Sequence, residues 1–140
     1  MTQVWDAFQK ALYECLTTDT TLMAMLKGDG IYDYVDASIG MPFVNIGDDA
    51  LFDWDDKTKD GTEIHAMIHV WSDKEGAGEG KEIASRIRAR LRSTLLSMDA
   101  TCRYRVIDPP QMQGPAKALR EDNNRIYHVV MQFKFLIEEF

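Results

Sequence analysis

Cysteine is scarce: Cys15 and Cys102 are the only two in 140 residues. Both fall in apolar-periodic surroundings, where an unpaired cysteine behaves as a small buried hydrophobe, so neither a disulfide framework nor a zinc knuckle is expected. Long apolar runs are missing too, and no segment approaches the roughly 20 apolar residues of a membrane span. The opening MTQVWDAFQKALYECL lacks the basic n-region, apolar h-region and small-residue cleavage site of a secretory signal. A soluble chain made in the cytoplasm is the expectation. Positive charge is in deficit, with 16 Lys and Arg against 23 Asp and Glu, a net charge of −7 and a pI near 4.9. Such a field disfavours general adhesion to a phosphate backbone or an anionic bilayer. There is no internal repeat, low-complexity tract or linker.

What is present is enough for one core. A hydrophobic content of 45% over 140 residues fits a single domain spanning 1–140. Trp5, Phe8, Ala11, Leu12, Cys15 and Leu16 recur at helical spacing and predict a helix over 3–17. Thr18 or Asp19 can cap a second, short helix carrying Leu22, Met23, Met25 and Leu26, which Gly28 and Gly30 stop. Pro42 to Ile46 reads as a strand bounded by glycines. Thr62 to Ser72 reads as a strand apolar on both faces, with Ile64, Ala66, Ile68 and Val70 on one and Met67, Trp71, His65 and His69 on the other. Residues 79–98 form the strongest helix, with Ile83, Ala84, Ile87, Leu91 and Leu95 on one stripe. A strand near 102–108 ends at Asp108-Pro109-Pro110. After a turn at Asp122-Asn123-Asn124 comes a last strand, in which Tyr127, Val129, Met131, Phe133, Phe135 and Ile137 alternate with polar residues. The expected class is therefore α+β in the order ααββαββ, a mainly antiparallel four-stranded sheet with helices packed on one face.

Several constellations invite chemistry and fail on their own terms. His65 and His69 would share a metal if they lay one helical turn apart. On a strand they stand roughly 13 Å apart, and zinc–nitrogen bonds of about 2.1 Å cannot bridge that gap. Asp56 to Gly61 begins like a calcium loop, but Met67 occupies the place of the bidentate glutamate. Gly80-Lys81 follows a strand and opens a helix, yet Glu75 and Glu82 replace the glycine and hydroxyl that a phosphate-binding loop requires. No G-x-S-x-G elbow or activated cysteine is evident, and strand histidines such as His65, His69 and His128 are more often sheet-face residues than bases. No metal, cofactor or catalytic residue is expected. Arg86, Arg88, Arg90 and Arg92, with Lys81, form a basic helix; a solvated or partner-facing side is a better reading than nucleic-acid readout, because no reading motif accompanies it.

One segment resists a dull reading. Asp48 to Gly61 reads as a hairpin loop longer than the usual 2–5 residues, and it carries Leu51, Phe52 and Trp54 among six aspartates. Large apolar residues on an exposed loop point to a protein partner.

Ile31-Tyr32-Asp33, then Pro42-Phe43-Val44-Asn45-Ile46-Gly47, then Asp53-Trp54-Asp55-x-Lys57-Thr58-x-Asp60-Gly61, then Ile68-His69-Val70-Trp71-Ser72 with a glycine-rich helix entry run in order along nearly the whole chain. Together they resemble the tail-completion, or tail-terminator, proteins of long-tailed bacteriophages and gene transfer agents. The resemblance implies a structural virion protein, not an enzyme, acting at the tail–head junction. It implies a homo-oligomeric ring, a hexamer in this family, that caps the head-proximal end of the tail tube, stops tube polymerisation and offers a surface for head joining. The implied partners are the major tail tube protein and a head-completion or connector protein. Subunit or tube contacts are expected at Phe52, Asp53, Trp54, Asp55 and Lys57, with Arg88 and Arg92 receiving aspartates from a neighbouring copy. The rival readings are a small nucleic-acid-binding domain using the arginine helix and a small enzyme using the strand histidines.

Overall fold

The computed structural model describes residues 2–36, 38–53, 61–98, 104–121 and 125–139. Three helices and seven strands follow in the order α1 (Thr2–Thr17), α2 (Thr20–Ala24), β1 (Ile31–Tyr32), β2 (Phe43–Asp53), β3 (Gly61–Ser72), α3 (Gly78–Ser93), β4 (Tyr104–Val106), β5 (Gln111–Met112), β6 (Lys117–Glu121) and β7 (Ile126–Glu139). All strands belong to one sheet in the order β1-β2-β3-β7-β4, with β5 and β6 also paired to β7. Every pairing is antiparallel except β1 with β2, which is parallel.

The class is α+β as expected, but the sheet is mixed and seven-stranded, not four-stranded, and the order is not ααββαββ. The additional strands are too short to announce themselves. β1 is two residues laid beside β2 after Gly30, whose φ of +78° turns the chain. β5 and β6 lie either side of Gly114 and Pro115 in a stretch that reads as loop. All five residues of β6 are exposed, so it shows no alternation, and its partner β7 supplies the order. β2 is also longer than its sequence signal. It continues through Asp53, so residues 48–53 are strand and not loop.

A β-bulge makes that continuation possible. Asn45 pairs with His69 and Asp48 with Met67, so Ile46 and Gly47 together oppose Ile68. Gly47 takes a φ of +114°, a conformation that L side chains rarely adopt. Before the bulge Val44 and Ile46 face the core; after it the phase inverts, turning Asp49 and Leu51 toward the helices and Asp48, Ala50 and Phe52 to the opposite face.

The core lies between the sheet and the helices. Ile64, Ala66, Ile68 and Val70 of β3 and Val129, Met131, Phe133, Phe135 and Ile137 of β7 meet Phe8, Leu12 and Leu16 of α1 and Ile83, Ile87 and Leu91 of α3. Phe8 meets Phe135 edge-on with ring centroids 4.9 Å apart. A Cβ at Gly80 would come within 3.1 Å of Val129, so the start of α3 lies close against β7. Two expected core residues are instead exposed. Trp5 is 38% exposed at the edge of the α1 stripe, and its indole N–H donates to Asp49 at 3.4 Å. Leu95 is 48% exposed because α3 ends at Ser93 and Thr94 is extended, which turns Leu96 inward in its place. Met25 and Leu26 likewise follow the end of α2, yet still pack against the core.

Candidate functional site

The exposed end of the β2–β3 hairpin is ordered by its own cross-strand pairs. Phe52 opposes Glu63 and Asp53 opposes Thr62. Phe52 is 47% exposed, and its ring meets that of His65 with centroids 4.8 Å apart. His65 Nε2 lies 2.6 Å from the Glu63 carboxylate, and the Gln132 side-chain amide approaches His65 Nδ1 at 3.4 Å. Phe52 is thus half-exposed, with its ring packed against His65. Trp54, Asp55 and Lys57 lie outside the described residues, as does Cys102.

The four helix arginines divide. Arg86 donates two hydrogen bonds to the Asp19 carboxylate, at 2.7 and 2.8 Å, tying α3 to the start of α2. Those bonds hold Asp19, which is only 5% exposed, below the usual carboxylate range. Arg90 donates to the Cys15 carbonyl at 3.0 Å and to the Thr18 hydroxyl at 3.1 Å, where α1 ends. Burial pushes the Cys15 thiol up, partly opposed by Arg90. Arg88 and Arg92 are exposed, and neither has an ion-pair partner among the described residues. Phe52 and the α3 arginines lie on opposite faces of the sheet, and no described residue of the hairpin pairs with Arg88 or Arg92.

The face without helices carries a row of polar and aromatic side chains in which histidines distant in sequence come together. Asp48 on β2 lies 2.8 Å from His69 Nε2 on β3, and His69 Nδ1 lies 2.7 Å from His128 Nε2 on β7. Glu121 on β6 stands 3.8 Å from His128 Nδ1. Trp71 stacks on His128 at 3.9 Å with planes 8° apart, and Phe43 stacks on Trp71 at 6.4 Å. Burial, then the neighbouring His69 charge, depress the His128 pKa, and Glu121 works against both. For this bond to form, one of the two facing imidazole nitrogens must donate its hydrogen and the other accept it. The signal for this row was period-two alternation plus the bulge, which sets Asp48 on the histidine side.

Asp49 is the bulge's other product. It faces the helices, burial raises its pKa, and its Oδ1 atom has no hydrogen-bond partner among the described residues. Among the described residues no group of three or more His, Cys, Asp or Glu side chains is placed to hold a metal ion. No described helix is long and apolar enough to cross a membrane.

The fold is of the α+β class, a mixed sheet backed by helices on one face. Comparison with known proteins gives that class its family. The family model "Tail completion protein gp17" matches residues 10–138, and the chain belongs to that family. A chain in the virion of a native gene transfer agent particle is similar to it, with 26% identity, a TM-score of 0.78 and 93% coverage of both chains. The gp17 protein of bacteriophage SPP1 has the same fold, with a TM-score of 0.64 at 20% identity over 95% of this chain and 90% of that one. Comparison with curated protein sequences gives no match. The chain is a structural tail-completion protein of phage-type virions.

Proposed function

We propose that copies of this chain close into a ring, six in number as the resemblance implies, which caps the head-proximal end of the tail tube, ends its polymerisation and presents a face for head joining. The observation that carries the reading is the family match over 10–138 together with near full-length likeness to a chain of an assembled virion. The physics is compatible. Identical subunits joined head to tail through two different patches form a closed ring when the rotation closes, and such a ring has two unlike faces. One face can take the tube while the other refuses a further layer. The acidic balance suits a channel along which DNA must slide without sticking.

Phe52, Asp53, Trp54, Asp55 and Lys57 at the hairpin end, with Arg88 and Arg92 on α3, are the assigned contacts to neighbouring subunits or to the major tail tube protein; a head-completion or connector protein meets the opposite face. Aromatic anchors buried at an interface can each contribute about 2 kcal/mol or more, against roughly 0–1 for exposed ion pairs, so the aromatics should dominate. A nucleic-acid reader on α3 is the weaker alternative, since Arg86 and Arg90 are engaged inside the fold. Catalysis by the strand histidines is weaker too, since His65 and His69 are each engaged by a carboxylate.

The test is electron microscopy of tails assembled with Trp54→Ala and Phe52→Ala proteins of unchanged melting temperature. Overlong tails and weakened rings are expected. Normal rings and normal tail lengths with both variants would remove the hairpin from the interface, and normal tail lengths in the complete absence of the protein would remove the terminating role.

A further inference from the structure

The two outer margins of the helical layer carry clefts of opposite charge. At the β1 edge, α1 and the turn through β1 enclose a groove of about 480 Å³ lined by Asp6, Asp29, Asp33, Tyr13 and Tyr32, with Lys10 the one cation among the described lining residues. The chain leaving this groove exposes Tyr34 (76%) and Val35 (37%), followed by Asp36. At the far edge, α3 and the β5–β6 stretch enclose a cleft of about 320 Å³. Its apolar side is Ala84, Met112, Val129 and Met131, and its charged side chains are Lys81 and Arg88 of α3, with no carboxylate among the described lining residues; Lys117 also lines it but opposes Val130, so its side chain belongs to the other face of the sheet. Lys81 and Arg88 are exposed, and neither has an ion-pair partner among the described residues. In an acidic chain, two unpaired cations beside an apolar floor call for a partner that brings both carboxylates and an apolar side chain.

We propose that the occupant of the α3–β6 cleft is the β1-edge segment of a second copy, with Asp29 and Asp33 meeting Lys81 and Arg88 and Tyr34–Val35 covering the apolar floor. The inference rests on the ring reading and specifies its subunit contact. Charge complementarity selects a second copy, because the same chain presents at one edge the acids and the aromatic that its other edge lacks. Topology supports it. β1 and β6 are the opposite margins of a single sheet, so the two patches face away from each other and cannot meet within one subunit. A contact between unlike patches is heterologous and repeats from copy to copy until it closes. Arg88 then has its partner at the neighbour's β1 edge, and the β2–β3 hairpin is left to contact the tube.

Two reversed proteins test this in a way that a folding defect cannot imitate. One carries Lys81→Glu and Arg88→Glu, so both its edges are acidic; the other carries Asp29→Lys and Asp33→Lys, so both are basic. All four positions are exposed, and each protein should melt like the parent. Native mass spectrometry and sedimentation of full-length protein, alone and with tail tubes, should show rings for the parent. Either reversed protein alone should self-associate on the order of tenfold or more weakly. A one-to-one mixture should recover rings in which the two kinds alternate, and only even-numbered rings can do so. Rings from either reversed protein alone, or no recovery on mixing, would overturn this contact while leaving the ring itself standing. A parent protein that stays monomeric both alone and on tubes would overturn the ring and this contact together.

Discussion

Replacing Phe133 by alanine should be among the most costly single changes in the fold, and the cost should be reversible from across the sheet. Phe133 is 1% exposed and directly opposes Ala66 of β3 on one side and Met112 of β5 on the other. Opposed residues on one face have Cβ atoms about 5 Å apart, so the ring fills the space that the small Ala66 side chain leaves. A Phe→Ala change in a core costs about 3–5 kcal/mol, with larger values where neighbours cannot collapse into the void. Here the neighbouring positions are pinned in a three-strand ladder, so about 4 kcal/mol is expected, a fall of about 15 °C in melting temperature for a domain of this size. Ala66→Leu in the parent should itself cost about 1–3 kcal/mol by overpacking. The combined Ala66→Leu, Phe133→Ala protein should then be more stable than Phe133→Ala alone, because the added leucine occupies the vacated volume. Urea unfolding of the four proteins closes the cycle. Additive losses would show that the two side chains do not share a space, and an unchanged melting curve for Phe133→Ala would show that this face of β7 is not in the core.

Ile87→Ala, on the α3 stripe that packs on the same face, should cost about 2–5 kcal/mol, seen as a lower melting temperature before any loss of partner binding. His128, facing His69 and Glu121 with Asp48 beyond, has a folded pKa below its ordinary 6.5. The unfolded chain therefore binds the proton more readily, and stability should decline as pH falls below about 6.5 until the folded value is passed. His128→Gln should flatten that part of a urea-unfolding pH series, and a parent that gains stability on acidification from pH 7 to 5.5 would contradict it. Asp19 depends on pH in the same direction over a more acidic window: its folded pKa lies below the ordinary 3.8, so its contribution is present above that value and is lost as pH falls through the folded value. Asp19→Asn should be less stable than the parent at neutral pH, with the two curves converging in acid; parallel curves would remove the Arg86 pair as the cause.

The long elements were legible because their periodicity is uninterrupted. β3 alternates from Ile64 to Ser72 and β7 from Val129 to Ile137, and the faces assigned to Ile64, Ile68, Phe133 and Phe135 are those observed. β1, β5 and β6 were not legible, because two to five residues carry no period and their order is imposed by a partner strand. The bulge was hidden for a related reason. Gly47 reads as a stop, yet here it lets β2 turn its phase and go on for six more residues. Likewise Arg86 and Arg90 belong by sequence to the same basic stripe as Arg88 and Arg92, and only the positions of Asp19 and Cys15 in space separate internal ties from outward charge. The histidine row escaped for want of register, since His128 is 59 residues from His69.

β7 is paired with β3 along one side and with β4, β5 and β6 along the other. It runs from Ile126 to Glu139, and the ribosome makes it after every other described strand. Until it emerges, β3 has one bare edge, and β4, β5 and β6 have no template at all. An unfinished or prematurely terminated copy therefore lacks both the second half of the sheet and the wall of the cleft beside α3. If the proposed contact holds, synthesis of β7 becomes a condition of joining a ring, because a copy that stops before it has no cleft for a neighbour to fill.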